Sequence, residues 1–320
     1  MNNTNKIPTL YVAVPCYNEQ EVLEETAKRL QEKLSEMMVE GLISDGSRIL
    51  FIDDGSRDKT WEIIERKHKE NSLVCGLKLA HNRGHQNALL AGLMTAKNLA
   101  DCVISIDADL QDDISVLDEF VKKYLAGCDV VYGVRKSRKS DTFFKRQTAQ
   151  NYYKLLHLLG VDVVYNHADY RLMSRRALDA LEEYKEVNLF LRGIVKLIGF
   201  KSDTVEYERK ERFAGKSKYP LRKMISFALD GVTSFSIKPI KIIGNLGIVI
   251  SVLSVFGLLY ALIAKLTGNA VTGWTAIVAS IWLIGGIQLF SLGVIGTYIG
   301  KIYSETKARP KYLIEEFLEK

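Results

Sequence analysis

The segment Cys102-Val-Ile-Ser-Ile-Asp107-Ala-Asp109-Leu-Gln111-Asp112-Asp113 joins an apolar run to closely spaced carboxylates. Asp and Gln oxygens suit a hard divalent cation, Mg²⁺ or Mn²⁺, and open α/β sheets bind ligands outside the carboxyl ends of their strands. An acidic turn opening the next helix would use the same residues, because Asp favours helix starts. Four other strand ends decide between the two. Residues 15–19 (Pro-Cys-Tyr-Asn-Glu), 53–58 (Asp-Asp-Gly-Ser-Arg-Asp), 82–86 (Asn-Arg-Gly-His-Gln) and 133–135 (Gly-Val-Arg) each follow a short apolar run. Arg135 offers a planar donor fork suited to phosphate. Carboxylates beside a phosphate binder fit a nucleotide diphosphate held through a metal, since the cation bridges groups that otherwise repel. His81, His85, His157 and His167 lack metal-ligand spacing and read as packing or supporting residues, with only His85 near the proposed edge.

These ends must be positioned by a framework. Apolar, β-branched runs at 11–14, 49–52, 73–79, 102–106 and 129–132 alternate with helical patterns at 20–38, 59–70, 86–99 and 115–126. The series predicts an α/β fold with a mainly parallel sheet covered on both faces, so that all five strand ends converge on one edge. Cys16, Cys75, Cys102 and Cys128 are scattered without ligand spacing and read as reduced packing residues.

The last third of the 320-residue chain changes character. No charge occurs from 242 to 264, and none between Lys265 and Lys301. A crossing helix needs about 20 apolar residues, so each stretch can span a bilayer, the second from near Trp274 to Ile299. Lys238 and Lys241 precede the first span and Lys301, Lys307, Arg309 and Lys311 follow the second, against Lys265 alone between them. Both termini are therefore expected in the cytoplasm, and the first residues carry no apolar signal region. A multi-pass protein of the plasma membrane is the expectation. Residues 206–223 hold seven basic side chains against three acidic ones, and Leu221, Met224, Ile225, Ala228, Val232 and Phe235 share one face of a helix that could lie in the interface. The basic segment suits either a lipid-phosphate grip or attraction to anionic headgroups. The division expected is 1–220 catalytic domain, 221–241 juxtamembrane helix, 242–300 two-helix anchor and 301–320 cytoplasmic tail.

The motifs at 15–19, 53–58, 82–86 and 107–112, with Asp169-Tyr-Arg-Leu-Met173 and Arg212-Phe-Ala-Gly-Lys-Ser-Lys-Tyr219, resemble the inverting family-two glycosyltransferases of GT-A fold. Within them, the membrane-anchored polyprenyl-phosphate glycosyltransferases are most similar, and the likeness runs over almost the whole chain. The resemblance implies that Pro15, Tyr17, Glu19 and Asp54 hold the base and ribose, with Asp53 supporting that pocket. It places Asp107, Asp109 and Gln111 around the metal, Arg135 against phosphate, Asp169 as the candidate base, and Arg212, Lys216, Ser217 and Lys218 at the acceptor phosphate. Arg83 stands where the family has an aromatic residue, and Ala168 where it has Gly.

The expected function is transfer of a hexose, glucose by family weighting, from a UDP-linked sugar to undecaprenyl or another polyprenyl phosphate. A phosphate acceptor is largely ionised near neutrality, so Asp169 could orient rather than deprotonate. A polysaccharide synthase is disfavoured by the missing Gln-x-x-Arg-Trp motif and the two spans; a diacylglycerol glycosyltransferase and a non-catalytic membrane scaffold stay open. Gly285, Gly286, Gly293, Gly296 and Gly300 would admit a neighbouring helix, so a homo-oligomer is expected, and no nucleic-acid partner.

Overall fold

Strands buried on both faces must be apolar throughout. β1 (Leu10–Cys16) is buried along its whole length, and β2 (Arg48–Asp53), β3 (Val74–Leu79) and β4 (Cys102–Ser105) nearly so. Helices α1 (Leu23–Val39), α2 (Thr60–Glu70), α3 (His85–Ala96) and α4 (Leu117–Leu125) connect and cover them. The pattern at 20–38 begins its helix three residues late, because the Glu19 carbonyl accepts the Val22 and Leu23 N–H groups in a preceding turn. Leu30, Leu34 and Phe120 cover Val12 and Phe51 on one face, while Leu89 and Leu93 cover Ala13 and Ile52 on the other. Each such side chain contributes about 1.5–3 kcal/mol by leaving water.

The structure, a computed structural model, describes residues 7–136, 167–187, 191–209, 238–267 and 273–319. Beyond β4 come β5 (Val130–Arg135), β6 (His167–Ser174), α5 (Arg175–Glu182), α6 (Leu191–Leu197) and β7 (Ser202–Tyr207). Two long helices follow, α7 (Lys238–Leu266) and α8 (Trp274–Lys307), and then β8 (Ile314–Leu318). The sheet order is β7-β5-β6-β4-β1-β2-β3-β8. β1 is parallel to β2 and β4, β2 to β3, and β5 to β7.

β6 is inserted antiparallel between β4 and β5. Its first residues therefore lie at the edge where its neighbours end, which brings Asp169 to the carboxyl ends of β4 and β5. In the stretch 301–320 expected as a tail, the described residues finish α8 and form β8, antiparallel to β3 with Glu316 opposite Lys78. Two glutamates in a five-residue strand hide the apolar alternation that would have announced it.

α8 enters the sheet domain at that same edge. The Val187 N–H donates to both Glu305 carboxylate oxygens at 2.9 and 2.8 Å, Lys311 Nζ donates to the Tyr184 carbonyl at 3.1 Å, and Ala80 N–H donates to the Leu313 carbonyl at 3.0 Å. The stretch Leu283–Lys307 is long and apolar enough to cross a membrane, with none of it buried against protein. α7 contains the charge-free run at 242–264. Of the two spans expected, one candidate, in α8, is found among the described residues, and Phe256, Leu289 and Phe290 are 65 %, 73 % and 68 % exposed, an apolar surface of the kind that marks an interaction face.

Candidate active site

The first two strand-end loops are tied together. Asn18 N–H donates to Ser56 Oγ at 2.9 Å, Arg57 N–H to Asn18 Oδ1 at 2.8 Å, and Glu19 N–H to Thr60 Oγ1 at 2.9 Å. Asn18 holds φ 53°, a left-handed conformation that Asn tolerates better than most residues. Asp53 accepts the Ser56 N–H at 3.3 and 3.2 Å, closing a turn. Asp54 accepts Arg83 N–H at 2.6 Å and Gly84 N–H at 2.9 Å, and so shapes the third loop. Both carboxyls are buried, and burial raises both pKa values. Pro15 is buried inside β1 opposite Ile52, whereas Tyr17 is exposed beyond the strand end.

Gly55 lies between these loops with φ 64°, and a Cβ there would stand 2.6 Å from the Asn82 backbone nitrogen and 2.8 Å from the His81 carbonyl carbon. Backbone cannot yield as a side chain can. Gly55→Ala is expected to destabilise the fold by about 3 kcal/mol, measured as a lowered denaturant midpoint.

The acidic turn after β4 is shaped by Leu110, which holds φ 58° although it is 5 % exposed. A bulky residue in that region carries strain, and such strain collects at functional sites. The bend lets the Gln111 N–H donate to Asp109 Oδ1 at 3.1 Å. Arg209 Nη2, just beyond β7, donates to Gln111 Oε1. Tyr207 hydroxyl donates to Asp112 Oδ1 at 2.6 Å and accepts from Arg135 Nε at 3.4 Å, which fixes the guanidinium expected at phosphate. Burial, then the charge of Asp107, pushes the Asp112 carboxyl up to about 6.

A raised carboxyl binds more protons folded than unfolded, so its contribution to stability falls as pH rises from the ordinary value of 3.8 to about 6. With chelator present, Asp112→Asn is expected to stabilise the protein by on the order of 2 kcal/mol at about pH 7.5, the gain vanishing near pH 4. Unfolding curves of both proteins across that range provide the check.

Asp169 is 6 % exposed and surrounded by cations. Arg171 Nη2 lies 2.6 Å from Oδ1, and Arg192 reaches both oxygens, Nε 3.3 Å from Oδ1 and Nη2 3.0 Å from Oδ2. His85 Nε2 stands between Asp169 Oδ2 at 3.7 Å and Asp107 Oδ1 at 3.6 Å. Burial alone would raise the Asp169 pKa, yet Arg192, His85 and Arg171 outweigh it and hold the carboxyl well below its usual range. Burial works against charge on His85, and the two carboxylates overcome it, so that its pKa is raised.

The edge thus gathers Tyr17, Glu19, Asp53, Asp54, Asp107, Asp109, Gln111, Arg135 and Asp169, with Pro15 inside its strand. Arg212, Lys216, Ser217 and Lys218 lie outside the described residues, as does most of the helix expected at 221–241. Arg171, Arg192 and Tyr207 are not assigned a role by the sequence: Arg171 lies inside the motif at 169–173, Tyr207 inside the segment 206–223, and Arg192 carries no local signal. Arg209 is one of that segment's seven basic residues, and it reaches Gln111.

Among the described residues no three His, Cys, Asp or Glu groups close around a point. An open pair suits Mg²⁺ or Mn²⁺ all the same, because such ions are held by one or two carboxylates plus substrate phosphates and water. The Asp107 pKa is raised, first by desolvation, against which His85 works, and then by the charges of Asp169 and Asp109, and a cation would relieve that crowding. The carboxylate oxygens of Asp107 and Asp109 are of the donor type such an ion takes, whereas Gln111 Oε1 accepts from Arg209 here and would have to exchange that partner for the ion.

The model of Glycosyl transferase family 2 matches residues 11–182. The uncharacterized glycosyltransferase YkoT of Bacillus subtilis (strain 168) is 57 % identical over 308 residues, covering 96 % of this chain and 91 % of its own. The bactoprenol glucosyl transferase of Shigella phage SfX is 39 % identical over 306 residues, covering 95 % of this chain and 98 % of its own. The crystal structure of glucosyl-3-phosphoglycerate synthase from Mycobacterium tuberculosis in complex with phosphoglyceric acid aligns with a TM-score of 0.49 and 16 % identity, covering 71 % of this chain and 79 % of that one.

Proposed function

This chain belongs to glycosyl transferase family 2, and from that premise we propose that it moves glucose from a UDP-linked donor to a polyprenyl phosphate at the cytoplasmic membrane face, with inversion. One observation carries the reading. The carboxylate pair, Arg135, the Asp169 ion cluster and the entry of α8 into the domain all lie on one edge of the sheet. A site facing its own anchor can meet a lipid whose phosphate stays at headgroup height. The near full-length match to a relative named for bactoprenol glucosyl transfer supports both the sugar and the lipid.

Tyr17 and Glu19 line the base and ribose, with Pro15, buried near the end of β1, setting where their loop departs, and Asp53 and Asp54 acting through the loops they order. Asp107, Asp109 and Gln111 would hold the metal. Arg135 meets the diphosphate, and Arg212, Lys216, Ser217 and Lys218 meet the acceptor phosphate. An acceptor oxygen attacks the anomeric carbon opposite the departing nucleoside diphosphate. A phosphate monoester, with its second pKa near 6, is already ionised, so no proton need be removed. When bound, the divalent cation neutralises charge that grows on the leaving group. Arg135, held by Tyr207, is a fixed cation needing no reorganisation there.

Strand pairing supports reading α7 and α8 as a pair of spans: β7 and β8 belong to one sheet, so an even number of crossings would separate them. Basic residues at both outer ends support a cytoplasmic position for that side. Gly285, Gly286, Gly293, Gly296 and Gly300 meet nothing within 4 Å where a Cβ would stand, which leaves α8 open to a second copy.

The test incubates detergent-solubilised protein with Mg²⁺, radiolabelled UDP-glucose and undecaprenyl phosphate. Organic-phase label released by mild acid is expected. Acid-stable label would assign a diacylglycerol glycoside instead, and no label from any UDP- or GDP-sugar would sink the enzymatic reading.

A further inference from the structure

Arg192 has no part in the assignment above, yet the fold delivers it to the centre of the site. α6 begins at Leu191, whose N–H donates to Gln86 Oε1 at 2.9 Å and whose carbonyl accepts from Arg171 Nη1 at 3.3 Å. The first turn of α3 and β6 therefore grip the first residue of α6 from two sides. The next residue extends a two-point fork across Asp169, 3.3 Å to Oδ1 and 3.0 Å to Oδ2. Arg171 holds the same carboxylate from beneath with its side chain 1 % accessible, whereas that of Arg192 is 31 % accessible, on the open side of the cluster.

We propose that Arg192 is a positioning residue for glycosyl transfer, fixing the plane of the Asp169 carboxylate and screening its charge so that an anionic acceptor can approach. The inference rests on the phosphate-acceptor reading. Without Arg192, Oδ1 keeps Arg171, but among its described ion pairs Oδ2 keeps only His85, 3.7 Å away. The carboxylate would then be free to turn, and its exposed charge would repel the acceptor. Lysine at this position keeps a charge and loses the planar fork, so it should restore only part of the effect.

The test compares wild type, Arg192→Ala and Arg192→Lys as full chains, with acceptor and donor varied separately. Arg192→Ala is expected to lower kcat/KM for the acceptor about 100-fold, the scale of a misplaced reacting group. Donor KM should stay unchanged. Arg192→Lys should fall between, and millimolar guanidinium should restore part of the alanine variant's rate while leaving wild type unaffected. A residue that merely held α6 in place would move both KM values together and give no rescue, and that result overturns the proposal. Wild-type transfer matched by Arg192→Ala refutes this role alone; no transfer by wild type removes the functional reading and this role with it.

Discussion

Replacing Asp109 with alanine is expected to reduce label transfer by at least about 1,000-fold, the scale of losing a preorganised group at the developing charge. The protein should remain folded, because Asp109 stands on a surface turn whose bend is set by Leu110 and whose flanks are fixed by Tyr207 and Arg209. A second measurement separates a metal role from a folding role. Divalent cation at 100 times its Kd should raise wild-type stability by about 2.7 kcal/mol and leave Asp109→Ala unmoved. Asp107→Asn should behave alike and resist unfolding no less than wild type in chelator. Its carboxyl is raised above the ordinary value by desolvation and by Asp169 and Asp109, so the ionised form opposes folding increasingly as pH climbs past that value. Equal cation stabilisation of wild type and both variants would place the metal elsewhere.

How much of this was legible can be traced residue by residue. β1 to β4 announced themselves because burial on both faces demands unbroken apolar runs, and a parallel series forces their ends onto one edge. Asp107, Asp109, Asp53 and Asp54 were readable as strand-end carboxylates for that reason. The insertion of β6 was not readable, since the direction of a strand leaves no mark on its composition, and Asp169 reaches the edge only because β6 runs backward. β8 was hidden by Glu315 and Glu316. Arg192 depends on bonds from Gln86 and Arg171 to Leu191, pairings across 105 and 20 residues that no local pattern encodes. His85 was read as a supporting residue near the edge; its place between Asp107 and Asp169 is set by the same long-range assembly.

Asp169→Asn is expected to do two things at once, which changes what the substitution can prove. It removes the counter-charge of Arg171, whose side chain is 1 % accessible, and leaving one buried partner unpaired costs about 3–5 kcal/mol. Burial opposes the Asp169 charge, but Arg192, His85 and Arg171 prevail and depress its pKa well below the ordinary value. A depressed carboxyl contributes stability that is fully present above its unfolded value and lost as pH falls through the folded one. The deficit of the variant should therefore be constant at neutral pH and shrink only in strong acid. Transfer should fall by at least about 100-fold, and that loss alone cannot distinguish proton transfer from orientation. The pH dependence of kcat can. A carboxylate held by two guanidiniums stays ionised across the working range, so wild type should show no acidic limb belonging to Asp169, and any inflection near pH 6 should follow the acceptor phosphate. Exchanging the phosphate for a phosphonate, with its different pKa, should move that inflection. An inflection that ignores the acceptor and disappears in Asp169→Asn would make Asp169 a base after all, and would require Arg192 to release it when the acceptor binds.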